Sequence, residues 1–146
     1  MKPQIQTEIR SLDSQLDLQA AFILLKELRP HIDETVFFDI YAKAHKADHY
    51  SLVGLYLSEK LIAVMGYRYL YDYVHGKHVY VDDLVTATEE RSKGHGAQLL
   101  KFAENLALRN GCKQLRLCTG IENESGKKFY EKNGWKFRAI VYKKKL

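Results

Sequence analysis

The chain of 146 residues and 17.0 kDa fits one domain, and its 46% apolar residues are enough to build a core. An excess of 23 Lys and Arg over 18 Asp and Glu gives a net charge of +5 and a pI near 9.1, which favours an anionic ligand or partner and leaves nucleic acid, a membrane surface and a polyphosphate cofactor open. Cys112 and Cys118 form neither a disulfide framework nor a metal-ligand spacing, the N-terminus MKPQIQTEIR has no apolar h-region, and no window is apolar enough to span a membrane, so a soluble, cytoplasmic protein without a metal is expected.

In chain order, Gln4 to Arg10 alternates around Ile5 and Ile9 and predicts a strand. Ser11 and Asp13 supply N-cap chemistry for a helix through Arg29, with Leu16, Ala20, Ile23 and Leu24 on one face and Pro30 as its stop. A second helix is expected from Asp33 to Ala47, where Val36, Phe37, Ile40, Tyr41 and Ala44 serve core packing. The pattern then becomes extended: strands over Tyr50–Leu57, Leu61–Tyr73 and His78–Thr86, with turns at Ser58-Glu59-Lys60 and His75-Gly76-Lys77. Turns this short make the three strands antiparallel neighbours, since a parallel pair needs a crossover.

Beyond Thr86, Leu99, Phe102, Ala103, Leu106 and Ala107 recur at helical spacing, and Asn110-Gly111 stops that helix. A strand over Gln114–Thr119, a short helix over Asn123–Asn133 closed by Gly134, and a last strand over Trp135–Lys144 complete the order β-α-α-β-β-β-α-β-α-β. Strand, loop, helix and strand around the glycines form a crossover unit, so the fold class is α/β, a mixed sheet flanked by helices.

The stretch Leu84 to Ala97, LVTATEERSKGHGA, leaves a β-branched run, crosses a charged turn and enters a helix at Gly94 and Gly96. Backbone N–H groups and the positive end of the helix dipole converge there, and glycines let a pyrophosphate approach. The stretch is neither a Walker loop nor a G-x-G-x-x-G dinucleotide fingerprint.

Arg91-Ser92-Lys93-Gly94-His95-Gly96-Ala97 resembles the R/Q-x-x-G-x-G/A pyrophosphate loop of the GNAT family of acetyl-CoA-dependent N-acetyltransferases. A second stretch, NESGKKFYEKNGW from Asn123 to Trp135, is similar to that family's N-x-x-A-x-x-x-Y-E-x-x-G-F segment, at the usual separation. The resemblance implies acetyl-CoA as cofactor and acetyl transfer to a primary amine of a small molecule or protein. It implies that Leu84, Val85 and Thr86 lend backbone groups to the pantetheine arm, that Arg91 to Ala97 hold the pyrophosphate, and that Asn123 bonds the arm. It also implies that Tyr130 stands near the thioester sulfur as the acid, and that a β-bulge lies nearby.

The chemistry needs more than cofactor binding. An amine of pKa about 10.4 is largely protonated at neutral pH, a handicap of roughly 4.6 kcal/mol, so it requires a base or a water path. Many relatives place a glutamate where this chain has Cys118. Period two puts His78, Tyr80, Asp82 and Leu84 on one strand face and Val79, Val81, Asp83 and Val85 on the other. With the valines in the core, Asp82 is the first choice as base and His78 a relay, and Asp83 implies either a bulge that shifts the phase or a buried structural acceptor. Tyr130 has a competing reading as an aromatic packed against Phe129 and Trp135. Cys118 is expected buried and inert, and His95 solvent-facing.

Two functional classes follow: an acetyltransferase, or a non-catalytic module that binds acyl-CoA, nucleic acid or protein on the same fold. No basic stripe with interleaved aromatics supports nucleic acid. Tyr67, Tyr69, Tyr71 and Tyr73 share a strand face that lines a pocket or packs between protomers, and the short C-terminus predicts an incomplete sheet edge finished in a homodimer.

Overall fold

In the computed structural model, which describes residues 6–146, the expected element order holds as far as the short helix expected over Asn123–Asn133. It runs β1 (Thr7–Leu12), α1 (Gln15–Leu28), α2 (Glu34–Asp48), β2 (Ser51–Leu57), β3 (Lys60–Asp72), β4 (Gly76–Thr86), α3 (His95–Arg109), β5 (Leu115–Leu117) and α4 (Glu124–Lys132). Gln4 and Ile5, placed in the first strand by their alternation, lie outside the described residues. The chain divides into two compact units, Met1–Arg116 and Leu117–Leu146.

The five strands form one mixed sheet in the order β1-β2-β3-β4-β5. β1 to β4 are antiparallel neighbours, and Ser58 and Glu59 close the β2–β3 hairpin with both residues at positive φ, +47° and +68°. α1 and α2 cover one face: Leu18, Ala21, Leu24, Leu25 and Phe37 pack on Leu12, Leu52, Val64 and Val85. α3 joins β4 to β5, and its Ala107 packs with Val79 and Cys112. Leu99 of α3 is completely buried, so truncating it to alanine costs roughly 2–5 kcal/mol.

Local chemistry explains the helix starts. Ser14, not Ser11 or Asp13, caps α1, because Ser14 and Asp17 stand at capping-box spacing and bond each other's backbone N–H groups. The buried stripe of α1 is accordingly Leu18, Ala21, Leu24 and Leu25, while Leu16 (78% exposed) and Ile23 (69% exposed) point outward, contrary to the expected face. Several apolar residues in that helix allow two stripes, and the packing of α1 on β3 and β4 chose between them. α2 begins where expected, with Asp33 as its N-cap, although only Phe37 of its apolar positions is buried.

The expected last strand over Trp135–Lys144 does not form; residues 135–146 carry no regular secondary structure. Apolar alternation makes a strand only where a neighbour supplies ladder hydrogen bonds, and alternation alone does not specify one. Among the described residues no helix is long and apolar enough to cross a membrane.

Candidate functional site

The glycine loop follows β4 directly. A short 3-10 turn, Thr88–Glu90, leads through Ser92 (φ +62°) and Gly94 (φ +85°) into α3. An added Cβ at Gly94 would meet nothing within 4 Å, so it is the left-handed backbone, not crowding, that asks for glycine there. Gln98 N–H makes the first intrahelical bond, to Gly94 O at 3.1 Å, which leaves the amides of His95, Gly96 and Ala97 without an intrahelical acceptor. α1, α2 and α4 each meet that need with a side-chain cap, from Ser14, Asp33 and Asn123, and α3 has none.

The charges around this helix end are paired with one another. Lys93 Nζ lies 3.1 Å from Glu90, Arg91 Nε donates to Thr86 O at 3.1 Å, and Arg91 Nη2 stands 3.7 Å from Glu27 of α1. The Lys93 hydrogen bond holds the Glu90 carboxyl below its ordinary value. Lys93 and Arg91 are half-exposed in these pairs, so turning either toward an anion costs little. His95 does not face solvent as expected: its side chain is 10% exposed and its Nε2, 3.5 Å from Glu90, makes no hydrogen bond. The first turn of α3 folds the ring back against the preceding loop.

Leu84, Val85 and Thr86 pair with Met65, Val64 and Ala63 of β3 along one edge. β5 is three residues long against eleven in β4, so most of the other edge of β4 faces no strand.

Upstream, β4 bulges. Gly66 pairs with Asp83 and the adjacent Tyr67 with Val81, which leaves Asp82 as the extra residue. The bulge flips the phase of the strand: Val79 packs on the α3 side, while Val85 packs with α1 and α2. Asp82 and Asp83 therefore do not alternate across the sheet as period two predicts, and both line one cavity of about 300 Å³ beside α1 and α2. Both readings of Asp83, phase-shifting bulge and structural acceptor, describe it.

A hydrogen-bond network holds the two carboxylates. Arg68 of β3 grips Asp82 with Nε and Nη2 at 2.9 and 2.8 Å, and its Nη1 lies 3.6 Å from Asp48. Asp83 accepts from Tyr50 Oη at 2.7 Å and from Arg29 Nε and Nη2 at 3.3 Å, while Arg29 also donates to Asp82 O at 3.2 Å. Burial pushes the Asp82 carboxyl above its ordinary value, against the pull of Arg68. Burial and the Asp83 charge raise the Tyr50 hydroxyl well above its own, so it stays a donor. A Cβ at Gly66 would lie within 2.7 Å of Tyr50 Cζ, so that glycine makes room for the Tyr50 ring.

The rest of the cavity wall is His31 and the apolar or aromatic Leu25, Ile32, Phe37, Ile40, Tyr41 and Ala44. Sequence reasoning missed Arg29, Asp48, Tyr50 and Arg68, which lie far from Asp82 along the chain and carry no motif. His78 does not join Asp82 as a relay: it is completely buried, with Nδ1 2.9 Å from Gly76 O and Nε2 near Asp72 and Arg116. Tyr67 and Tyr69 form an edge-to-face pair under the α3 side, whereas Tyr71 and Tyr73 are exposed, so the run lines no single pocket.

In the C-terminal unit, Asn123 caps α4: its Oδ1 accepts from Gly126 N–H at 3.0 Å and its Nδ2 donates to Thr119 Oγ1 at 2.9 Å. Tyr130 packs edge-to-face on Phe129 and Trp135, with ring centroids 5.2 and 6.1 Å away. Cys118 is exposed, not buried as expected, because β5 ends at Leu117.

Residues 16–135 match the acetyltransferase (GNAT) family. An uncharacterised N-acetyltransferase of Bacillus subtilis (strain 168), YhdJ, is 26% identical over 137 residues, 93% of this chain and 96% of that protein. A shorter match, 31% over 68 residues, covers 47% of this chain and 40% of the thialysine N-epsilon-acetyltransferase of Bos taurus. Among solved structures, the aminoglycoside N-acetyltransferase AAC(6')-Iy in complex with CoA superimposes with a TM-score of 0.84 at 20% identity, over 100% of this chain and 99% of that one.

Proposed function

The chain belongs to the acetyltransferase (GNAT) family, and on that premise we propose that it moves the acetyl group of acetyl-CoA to a primary amine by direct transfer. The observation that carries this reading is the α3 N-terminus: unlike the other helices it has no side-chain cap, Gly94 sets its entry, and it follows β4 directly. Its free amides and helix dipole fit a pyrophosphate, with Arg91 and Lys93 as mobile cations. When bound, acetyl-CoA supplies an activated thioester.

This chain's residues supply the rest. Asp82, raised by burial and oriented by Arg68, takes the proton of the incoming amine at a carboxylate oxygen, directly or through water. Asp83, committed to Tyr50 and Arg29, positions the bulge and does not exchange protons. A backbone N–H near the end of β4 stabilises charge on the acyl oxygen. Tyr130 is assigned by the motif as donor to the departing sulfur. A free phenol, with a pKa of about 10 against a thiol near 8.5, gives up its proton to sulfur uphill by roughly 2 kcal/mol, so a hydrogen bond is the contribution asked of this residue. Tyr130→Phe is expected to slow turnover without abolishing it, and unchanged turnover would remove Tyr130 from the mechanism.

The cavity beside Asp82 is read as the acceptor site, with an apolar wall for the body of a small-molecule or peptide amine. The decisive experiment follows thiol release from acetyl-CoA across a panel of amines, beside DNA binding at two salt concentrations. Amine-dependent release supports the enzyme. Release independent of amine, or salt-sensitive DNA binding without release, supports the non-catalytic module.

A further inference from the structure

The β3–β4 hairpin carries Asp72-Tyr73-Val74-His75-Gly76-Lys77-His78, in which a carboxylate and two imidazoles recur at every third residue. Asp72 closes β3, His75 ends the turn and His78 stands on β4, so the hairpin brings together side chains that an extended strand would scatter. One ligand atom from each lies within 4.8 Å of the other two.

Each donor is held in place. The His75 backbone N–H donates to Asp72 Oδ1 at 2.6 Å, which fixes the carboxylate. The second oxygen, Oδ2, then lies 3.0 Å from His75 Nδ1 and 3.8 Å from His78 Nε2. His78 is completely buried, with Nδ1 2.9 Å from Gly76 O. A carbonyl can only accept, so the ring proton sits on Nδ1 and Nε2 presents its lone pair to the cluster. Ligating histidines are held by a carbonyl in the same way, which sets their tautomer and raises their basicity.

A cation already stands where these lone pairs converge. Arg116 Nη1 is 3.3 Å from Asp72 Oδ2 and 3.5 Å from His78 Nε2. Its side chain is 34% exposed, and its guanidinium lies 5.7 Å from the centroid of the Tyr80 ring, so it can leave the cluster without losing every partner.

The geometry points to a divalent transition-metal site of the zinc class formed by Asp72, His75 and His78, with Arg116 as its built-in competitor. Two imidazoles and one carboxylate suit zinc, whereas magnesium and calcium take oxygen ligands. Zinc holds such donors at about 2.0–2.2 Å, hence roughly 3.3 Å from one another, a modest contraction of the present cluster. His75 binds through Nδ1 and moves its ring proton to Nε2, and water takes the fourth position. The ion pins the turn between β3 and β4.

Titration of the tag-free full chain, stripped with chelator, with ZnCl2 in a calorimeter tests this. One ion per chain is expected, CoCl2 should give the intense visible bands of a tetrahedral site, and zinc should raise Tm by several degrees. His75→Ala, a change confined to the turn, should weaken zinc at least tenfold and abolish the Tm shift, while Arg116→Met should tighten it about tenfold. Equal zinc affinity in His75→Ala, or no binding by wild type and Arg116→Met alike, overturns the site. Unchanged affinity in Arg116→Met overturns the competition.

Discussion

At the N-terminus of α3 the groups proposed to meet an anion are backbone amides, whose directions follow from the helix and from Gly94 at φ +85°. At the β4 bulge the acting groups are side chains, Asp82 and Asp83, held by Arg29 at the end of α1, Tyr50 before β2 and Arg68 on β3. The first kind of site is local and carries its charge in exposed, replaceable pairs. The second is a coupled network, in which removing one member leaves a buried partner unsatisfied.

This contrast orders the expected effects of substitution. Asp82→Asn keeps the shape of the Arg68 contact and removes the base, so kcat with an amine should fall by about 100- to 10,000-fold while the KM for acetyl-CoA stays unchanged. Steady-state kinetics decide the matter, and a loss confined to the KM for acetyl-CoA would merge the two regions into one. An alkaline-rising limb of the pH profile that survives in Asp82→Asn would exclude Asp82 as base.

Tyr50→Phe tests the network through stability. At neutral pH it should cost about 1–3 kcal/mol, read by urea unfolding, because Asp83 loses its shortest hydrogen bond. The pH dependence carries a sign. The folded Tyr50 hydroxyl titrates above its unfolded value near 10, so its contribution is fully present below pH 10 and is lost as pH climbs from there toward the folded value. Wild type should therefore lose stability more steeply above pH 10 than Tyr50→Phe. Parallel curves would mean that the hydroxyl is not held as described.

Gly94→Ala should cost roughly 1–2 kcal/mol by placing a Cβ on a left-handed backbone, and should raise the KM for acetyl-CoA with kcat retained. The smallest effect belongs to Lys93→Ala: a few-fold rise in that KM at low salt, vanishing at high salt, with no change in Tm. A Lys93 effect larger than that of Gly94 would mean that side chains, not backbone amides, hold the anion.

The sequence by itself determined the elements whose causes are local: the helix starts at Asp33 and Asn123, the stop at Asn110-Gly111, the tight hairpins, and the glycine loop opening α3. Each is a contest among a few neighbouring residues, and the winner can be read from their types. The phase of β4 is not of that kind. A bulge is defined by register against a partner strand, and HVYVDDLVT, in which Asp83 falls among the valines, offers it only as one of two alternatives and does not say which residue is extra. Only the pairing of Gly66 with Asp83 and Tyr67 with Val81 decides it, and one extra residue turns every later side chain to the other face. The same reason explains the exposed Leu16 and Ile23, and the unformed strand over residues 135–146: which of several apolar stripes is buried, and whether an alternating segment finds a ladder, is decided by what lies opposite in space.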